Sequence, residues 1–158
     1  MSTPANHPKL KVASIQMVST PNLQENLSTA SRLIGAAAAD GAQLAVLPEY
    51  FCLMGLKDTD KVSARESIGS GPIQEQLSQI AKQNKLHLVA GTIPLEARDP
   101  NKVLNTTLVF DPTGQQITRY DKIHLFGFQT ATERYQESET IEAGNEPGVL
   151  KISVDGND

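Results

Sequence analysis

The sequence predicts an α/β fold built on a mixed sheet, and three features carry that prediction. A strand, a helix and a strand follow one another across residues 10–47, a second helix and strand repeat the pattern across residues 72–93, and two strand-like runs flank Asp111-Pro112-Thr113-Gly114, a tight-turn signal. Strands joined through a helix run parallel, whereas strands joined by a tight turn run antiparallel, so one sheet holds both kinds of pairing.

Residues 10–17 read as the first strand, with Val12, Ile15 and Met17 as its apolar members, and Pro21-Asn22 ends it. Asn22 is a good N-cap with Glu25 three residues on. From there Leu23, Leu27, Ala30, Ile34 and Ala37 recur at helical spacing until Asp40-Gly41 closes the last turn. The alanines from Ala36 to Ala39 let this helix lie close on a sheet. Leu44-Ala45-Val46-Leu47 reads as a strand buried on both faces, and Pro48, with no N–H for a ladder, must end or turn it.

Residues 51–70 are irregular, with Lys57, Asp58, Asp60, Lys61, Arg65 and Glu66 among few apolar residues, and a loop of that kind beside Glu49 is expected to shape a pocket. Pro72 suits a first helical position. Ile73, Leu77, Ile80 and Ala81 then mark the buried face of a helix ending near Lys85. Residues 86–93 read as the next strand, in which Gly91 permits close backbone approach. After a turn at residues 98–101, the runs 103–110 and 115–121 form the hairpin. Residues 127–148 show no clear periodicity and hold Glu133, Glu137, Glu139 and Glu142. Residues 149–154 read as a last strand, and Asp155-Gly156 as a hairpin turn. A domain seldom stops on a turn, because the partner strand satisfies the edge hydrogen bonds, so the expectation is the N-terminal part of something longer. The organisation expected is a flexible tail over residues 1–8 and a domain portion over residues 9–158.

Composition excludes several classes. Hydrophobic residues make up 39% and charged residues 20%, too apolar for a disordered chain. A formal net charge of -4 offers no basic patch for nucleic acid. Nothing approaches the roughly 18 apolar residues of a membrane span, and residues 1–8 lack the apolar core of a signal peptide. The single cysteine, Cys52, rules out an internal disulfide, which agrees with the reducing cytoplasm. No Gly-rich phosphate loop follows the first strand, which argues against a nucleotide-binding domain.

The chemistry gathers at strand ends. Glu49 sits just past the C-terminal edge of a strand, where ligands and catalytic groups collect in sheets with crossover helices, although an isolated glutamate there also reads as a solvated loop residue. Lys122 appears at the edge of another strand, where the hairpin runs out through Tyr120-Asp121.

The segments Leu47-Pro48-Glu49-Tyr50-Phe51, Asn105-Thr106-Thr107-Leu108-Val109-Phe110-Asp111-Pro112-Thr113-Gly114 and Tyr120-Asp121-Lys122-Ile123-His124-Leu125-Phe126, in this order and at these separations, resemble the nitrilase superfamily of carbon-nitrogen hydrolases. The Lys-Ile-His-Leu-Phe wording resembles its Nit branch of omega-amidases and deaminated-glutathione amidases. The resemblance covers nearly the whole chain from Lys9 onward. It implies a partial α-β-β-α sandwich of the nitrilase type and a Glu-Lys-Cys triad in which Glu49 matches the general base and Lys122 the catalytic lysine. Tyr135-Gln136-Glu137-Ser138 resembles the segment with a supporting glutamate, which makes Glu137 the third site residue. The family's nucleophilic cysteine lies in an elbow beyond this chain. A lone cysteine between Phe51 and Leu53 reads as a small buried hydrophobe, so Cys52 is expected to pack rather than react. His124 is expected to position or pack rather than act as a base.

These residue types suit amide hydrolysis. A thiol is only a few per cent ionised at neutral pH unless a base takes its proton, and an ammonium beside the tetrahedral oxyanion stabilises it. The function expected is hydrolysis of a small ω-amide of a dicarboxylic acid, with nitrile or N-carbamoyl amide hydrolysis as alternatives on the same triad. No metal or organic cofactor is called for. The only partner expected is the small-molecule amide, and the parent is expected to be a homodimer. The other reading is an inactive truncated fragment or a binding-only protein. Under the leading reading the 158-residue piece alone is expected to be inactive and poorly soluble through its open sheet edge, and its complete parent soluble.

Overall fold

The computed structural model describes residues 9–152. Its elements are β1 (Val12–Ser14), α1 (Leu23–Ala39), β2 (Leu44–Val46), α2 (Asp60–Ser63), α3 (Pro72–Asn84), β3 (His87–Val89), β4 (Ile93–Glu96), β5 (Val103–Phe110), β6 (Gln116–Asp121), β7 (Gly127–Gln129), β8 (Arg134–Gln136), a 3-10 turn (Glu137–Glu139) and β9 (Ile141–Glu142). β1, β2 and β3 pair in parallel in that order, and the intervening helices α1 and α3 carry the crossovers. From β5 onward the pairing with β3, β4 and β6 is antiparallel, so the sheet is mixed.

β5 organises the second half. β3 and β4 lie end to end along one of its edges, while β6 and β9 lie along the other. Its eight residues thus hold four partners. Both helices cover the same face, where Leu27, Ala30 and Ile34 of α1 and Ile73, Leu77, Ile80 and Ala81 of α3 pack with Ala45, Leu88, Leu95 and Leu108 of the sheet. These are the residues that recur at helical spacing in α1 and α3, so the amphipathic pattern alone aims each helix at the sheet. Asn22 caps α1 by accepting the Glu25 N–H at 3.1 Å. The start of α3 has a more distant cap. The Glu66 carboxylate accepts the N–H groups of Ile73 at 2.6 Å and Gln74 at 3.2 Å, which places a negative charge on the positive end of the helix.

Several expectations about elements need correcting. The first strand covers only Val12–Ser14, because its ladder with β2 closes there with a single further bond from Ile15 N–H to Val46 O, although Ile15 and Met17 still pack on the core. Residues 86–93 are not one strand. Gly91, at φ +46°, bends the chain and separates β3 from β4. The irregular region 51–70 contains the four-residue helix α2, and residues 127–148 contain β7, β8, the 3-10 turn and β9, all too short to leave a periodic signal. No strand forms over residues 149–152. They pair with no described residue, and Val149 is 95% exposed. Ser153 and Val154 of that expected strand, the Asp155-Gly156 turn and the expected tail over residues 1–8 lie outside the described residues. Among the described residues no helix is long and apolar enough to cross a membrane.

Candidate active site

Glu49 is placed by the end of β2 and by a glycine. One more ladder bond, from Leu47 N–H to Val89 O at 3.0 Å, follows β2 before Pro48 stops the pairing. The chain then turns against the bend between β3 and β4. A Cβ on Gly91 would lie 2.1 Å from the Pro48 carbonyl oxygen, so only glycine allows this approach, and its left-handed φ asks for glycine as well. Tyr50 completes the turn at φ +53°, an uncommon conformation for a side chain of this size, held by its N–H donating to Thr92 Oγ1 at 3.0 Å.

Lys122 is placed by strand register. β5 and β6 pair with Thr106 opposite Asp121, so the next residue, Lys122, falls opposite Asn105 and donates its backbone N–H to the Asn105 carbonyl at 3.0 Å. Both side chains reach the same carboxylate. Glu49 Oε1 accepts from Asn105 Nδ2 at 2.7 Å and from Lys122 Nζ at 3.0 Å, both within hydrogen-bond reach.

Glu137 arrives by a separate route. The β7–β8 hairpin, braced by the ring cluster of Phe126, Phe128 and Tyr135 with centroids 6.1–6.2 Å apart, delivers Glu137 opposite Phe126. Its backbone N–H donates to Phe126 O at 3.0 Å, and its Oε2 accepts the Phe126 N–H at 2.7 Å. That carboxylate also holds Lys122 Nζ at 2.9 Å and accepts the Tyr50 hydroxyl proton at 3.1 Å. Lys122 therefore sits between two carboxylates.

Exposure separates the two acids. The Glu137 side chain is 5% exposed, Lys122 22% and Glu49 46%. Burial works to raise the Glu137 pKa, but the Phe126 N–H, the Lys122 ammonium and the Tyr50 hydroxyl outweigh it and hold the carboxyl below the usual range. Burial likewise pulls Lys122 down, yet the hydrogen bonds and charges of Glu137 and Glu49 together keep it above its ordinary value. Burial first, and then the Glu137 charge, push the Tyr50 hydroxyl up, so it stays a donor. The outcome is an ammonium held between the buried Glu137 carboxylate and the more exposed Glu49 side chain. Glu49 and Lys122 face an open groove of about 340 Å³ that Val46, Val89, Thr107 and Tyr120 also line.

The remaining expected residues fall elsewhere. Cys52 is 1% exposed, its Sγ lies 3.7 Å from Thr92 O, and burial pushes its thiol up to about 12. A thiol held in its neutral form and out of solvent suits a packing residue. His124 is exposed and takes no part in the cluster, so a packing role is not what the structure gives it. Of the four late glutamates, Glu139 pairs with Arg134 at 3.1 Å and Glu142 with Arg98 at 2.7 Å, and Glu133 is exposed. Among the described residues no group of three or more His, Cys, Asp or Glu is placed to hold a metal ion. Sequence reasoning missed Asn105 and Tyr50 as partners of the carboxylates. Asn105 had a signal, since a polar residue on the long central strand faces Lys122 once the hairpin is registered.

The carbon-nitrogen hydrolase family model matches residues 11–155. The chain belongs to the carbon-nitrogen hydrolase family. Among its relatives, the deaminated glutathione amidase of Synechocystis is 36% identical over 148 residues, covering 92% of this chain and 54% of that protein. The omega-amidase NIT2 of Xenopus tropicalis is 37% identical over 145 residues, covering 90% of this chain and 51% of that protein. The crystal structure of Saccharomyces cerevisiae Nit3, a member of branch 10 of the nitrilase superfamily, superposes with a TM-score of 0.72 at 29% identity, over 87% of this chain and 49% of that one. This member of the carbon-nitrogen hydrolase family thus has Nit-branch relatives and a nitrilase fold, as its motifs implied. The chain spans about half the length of the curated relatives it matches.

Proposed function

We propose that the complete protein hydrolyses a small ω-amide of a dicarboxylic acid, using Glu49 as general base, Lys122 as oxyanion stabiliser and a cysteine supplied from outside these 158 residues. The observation that carries the reading is the 3.0 Å contact between Lys122 Nζ and Glu49 Oε1 at the edge of an open groove. The likeness to omega-amidase and deaminated glutathione amidase sequences supports the substrate class. The burial of Cys52 argues for a nucleophile elsewhere.

In this mechanism Glu49 takes the thiol proton as the thiolate attacks the amide carbonyl carbon. The carbonyl electron pair moves to oxygen, and the Lys122 ammonium stabilises that oxyanion, an effect worth about 3–4 kcal/mol per donor in acyl-transfer sites. Collapse breaks the C–N bond, and protonated Glu49 gives its proton to the departing ammonia. Glu49, again a carboxylate, deprotonates the water that cleaves the thioester, and the acid leaves with the thiol restored. Asn105, at 2.7 Å from Glu49, and Glu137, at 2.9 Å from Lys122, serve as positioning residues.

The test is ammonia release from a panel of ω-amides by the protein expressed from its complete reading frame, beside the 158-residue chain. Glu49→Gln and Lys122→Ala are each expected to reduce kcat at least about 10³-fold in the complete protein, with the short chain inactive. Turnover by the short chain that is lost on replacing Glu49 would overturn the assignment of the nucleophile.

A further inference from the structure

Lys61 is a half-buried cation that the base-and-lysine chemistry leaves unused. It lies on α2, and its side chain is only 13% exposed. Its ammonium carries three protons, yet among the described residues it makes no hydrogen bond. The nearest anion, Asp58 Oδ1, is 3.9 Å away, outside hydrogen-bonding reach and on a side chain 57% exposed. Its other contact is the face of the Tyr50 ring, 5.5 Å from the centroid.

Tyr50 ties this cation to the site. The residue is fixed at both ends, by its backbone N–H on Thr92 and by its hydroxyl on Glu137, so Lys61 stands on the face of a ring whose tip touches the carboxylate holding Lys122. A small cavity of about 80 Å³ opens there, lined by two lysines, Lys57 and Lys61, one carboxylate, Asp58, and by Tyr50, Met54 and Tyr135. That is several times the roughly 10–15 Å³ that one water needs on the same measure. Burial pulls the Lys61 pKa down, with Lys122 adding to the effect and the charges of Asp58, Glu137 and Glu49 opposing it. In exchange for the water it has lost, the ammonium has only the long contact to the exposed Asp58 carboxylate, too far for a hydrogen bond, an arrangement that an incoming carboxylate completes.

We infer that Lys61 receives the free carboxylate of the substrate, across the Tyr50 ring from the Glu49–Lys122 pair, and so selects ω-amides of dicarboxylic acids over neutral amides of the same length. The inference rests on the proposed amidase reaction and assigns the part of the site that recognises the end of the substrate remote from the amide. No bond is made or broken at Lys61. Its contribution is a charge-assisted contact present in both the ground state and the transition state, so it acts on KM rather than on kcat.

The test uses the complete protein as wild type, Lys61→Met and Lys61→Arg, with glutaramate and the neutral pentanamide as substrates. Lys61→Met keeps an unbranched side chain of similar length and removes the charge. It is expected to raise KM for glutaramate about 30-fold with kcat within about threefold, and to change kcat/KM for pentanamide by less than about threefold. Lys61→Arg is expected to recover most of the loss. Equal losses on the two amides would mean that Lys61 only braces Tyr50, and would overturn the inference. A second arm measures glutarate binding by calorimetry, where Lys61→Met should weaken affinity by a similar factor. If wild type turns over neither amide, the proposed reaction fails, while the glutarate comparison still decides the role of Lys61: weaker binding by the variant supports it and equal binding refutes it.

Discussion

Replacing Glu137 by Gln tests whether the buried carboxylate holds Lys122 in place. The substitution keeps the shape and removes one charge. Phe126 N–H and Lys122 converge on Oε2 at 2.7 and 2.9 Å, while Tyr50 OH and Lys122 converge on Oε1, each at 3.1 Å. Whichever oxygen becomes an amide NH₂, a donor then faces two donors. Leaving a buried donor without an acceptor costs about 1–3 kcal/mol. Lys122 also loses one of its two carboxylates, though it keeps Glu49 and is 22% exposed, so this part falls below the full cost of breaking a buried pair. The sum expected is about 2–4 kcal/mol of stability in the complete protein, measured by urea denaturation.

The pH dependence gives this prediction a signature. Glu137 has a depressed pKa, so its contribution is present above the unfolded carboxylate value and is lost as pH falls through the lower folded value. Lys122 has a raised pKa, so its contribution is present below the unfolded lysine value and is lost as pH rises through the higher folded one. The gap between wild type and Glu137→Gln should therefore be full between about pH 5 and 10 and close on both sides. With one carboxylate fewer the Lys122 pKa falls, so the basic limb of the kcat/KM profile should move to lower pH, with kcat reduced about 10²-fold by misplacement of the ammonium. A gap under about 0.5 kcal/mol at pH 7, or an unmoved basic limb, would refute the holding role.

Three further outcomes are expected in the complete protein. Gly91→Ala sets a Cβ 2.1 Å from the Pro48 carbonyl at a left-handed φ, so a stability loss above about 3 kcal/mol with a fall in kcat should appear together in denaturation and ammonia-release measurements. Glu66→Ala strips the N–H groups of Ile73 and Gln74 of their acceptor, and about 2–4 kcal/mol of stability should be lost in urea with kcat within about threefold. Cys52→Ala should leave turnover within about tenfold of the parent, and loss of acyl-enzyme formation in that variant would make Cys52 the nucleophile after all.

How much of this was legible in the sequence depended on element length. α1 and α3 run 17 and 13 residues, long enough for their apolar spacing and caps to be read directly, and β5 with β6 announced themselves through Asp111-Pro112-Thr113-Gly114. β3 and β4 read as one strand in the sequence because a bend at a single glycine leaves the alternation on either side intact. β7, β8 and β9 have two or three residues each, fewer than two periods of any pattern, so the hairpin that carries Glu137 was invisible to periodicity and was reached only through motif resemblance.

The site divides along the same line. The meeting of Glu49 and Lys122 is legible because each stands at the end of a readable strand, and one fact of register, Thr106 opposite Asp121, is enough to bring Lys122 beside Asn105. Tyr50 and Lys61 had no such signal, since their placement depends on a left-handed turn and on a four-residue helix inside an irregular loop. Those two residues join the strand-borne chemistry to the loop-borne cavity: the Tyr50 hydroxyl reaches Glu137 while its ring meets Lys61. A rigid sheet edge can hold a base and an ammonium to within tenths of an ångström, as acyl transfer requires, whereas a loop can change its charges without disturbing them. Replacing Lys61 should for that reason alter which amides are hydrolysed, and replacing Lys122 should alter whether any is.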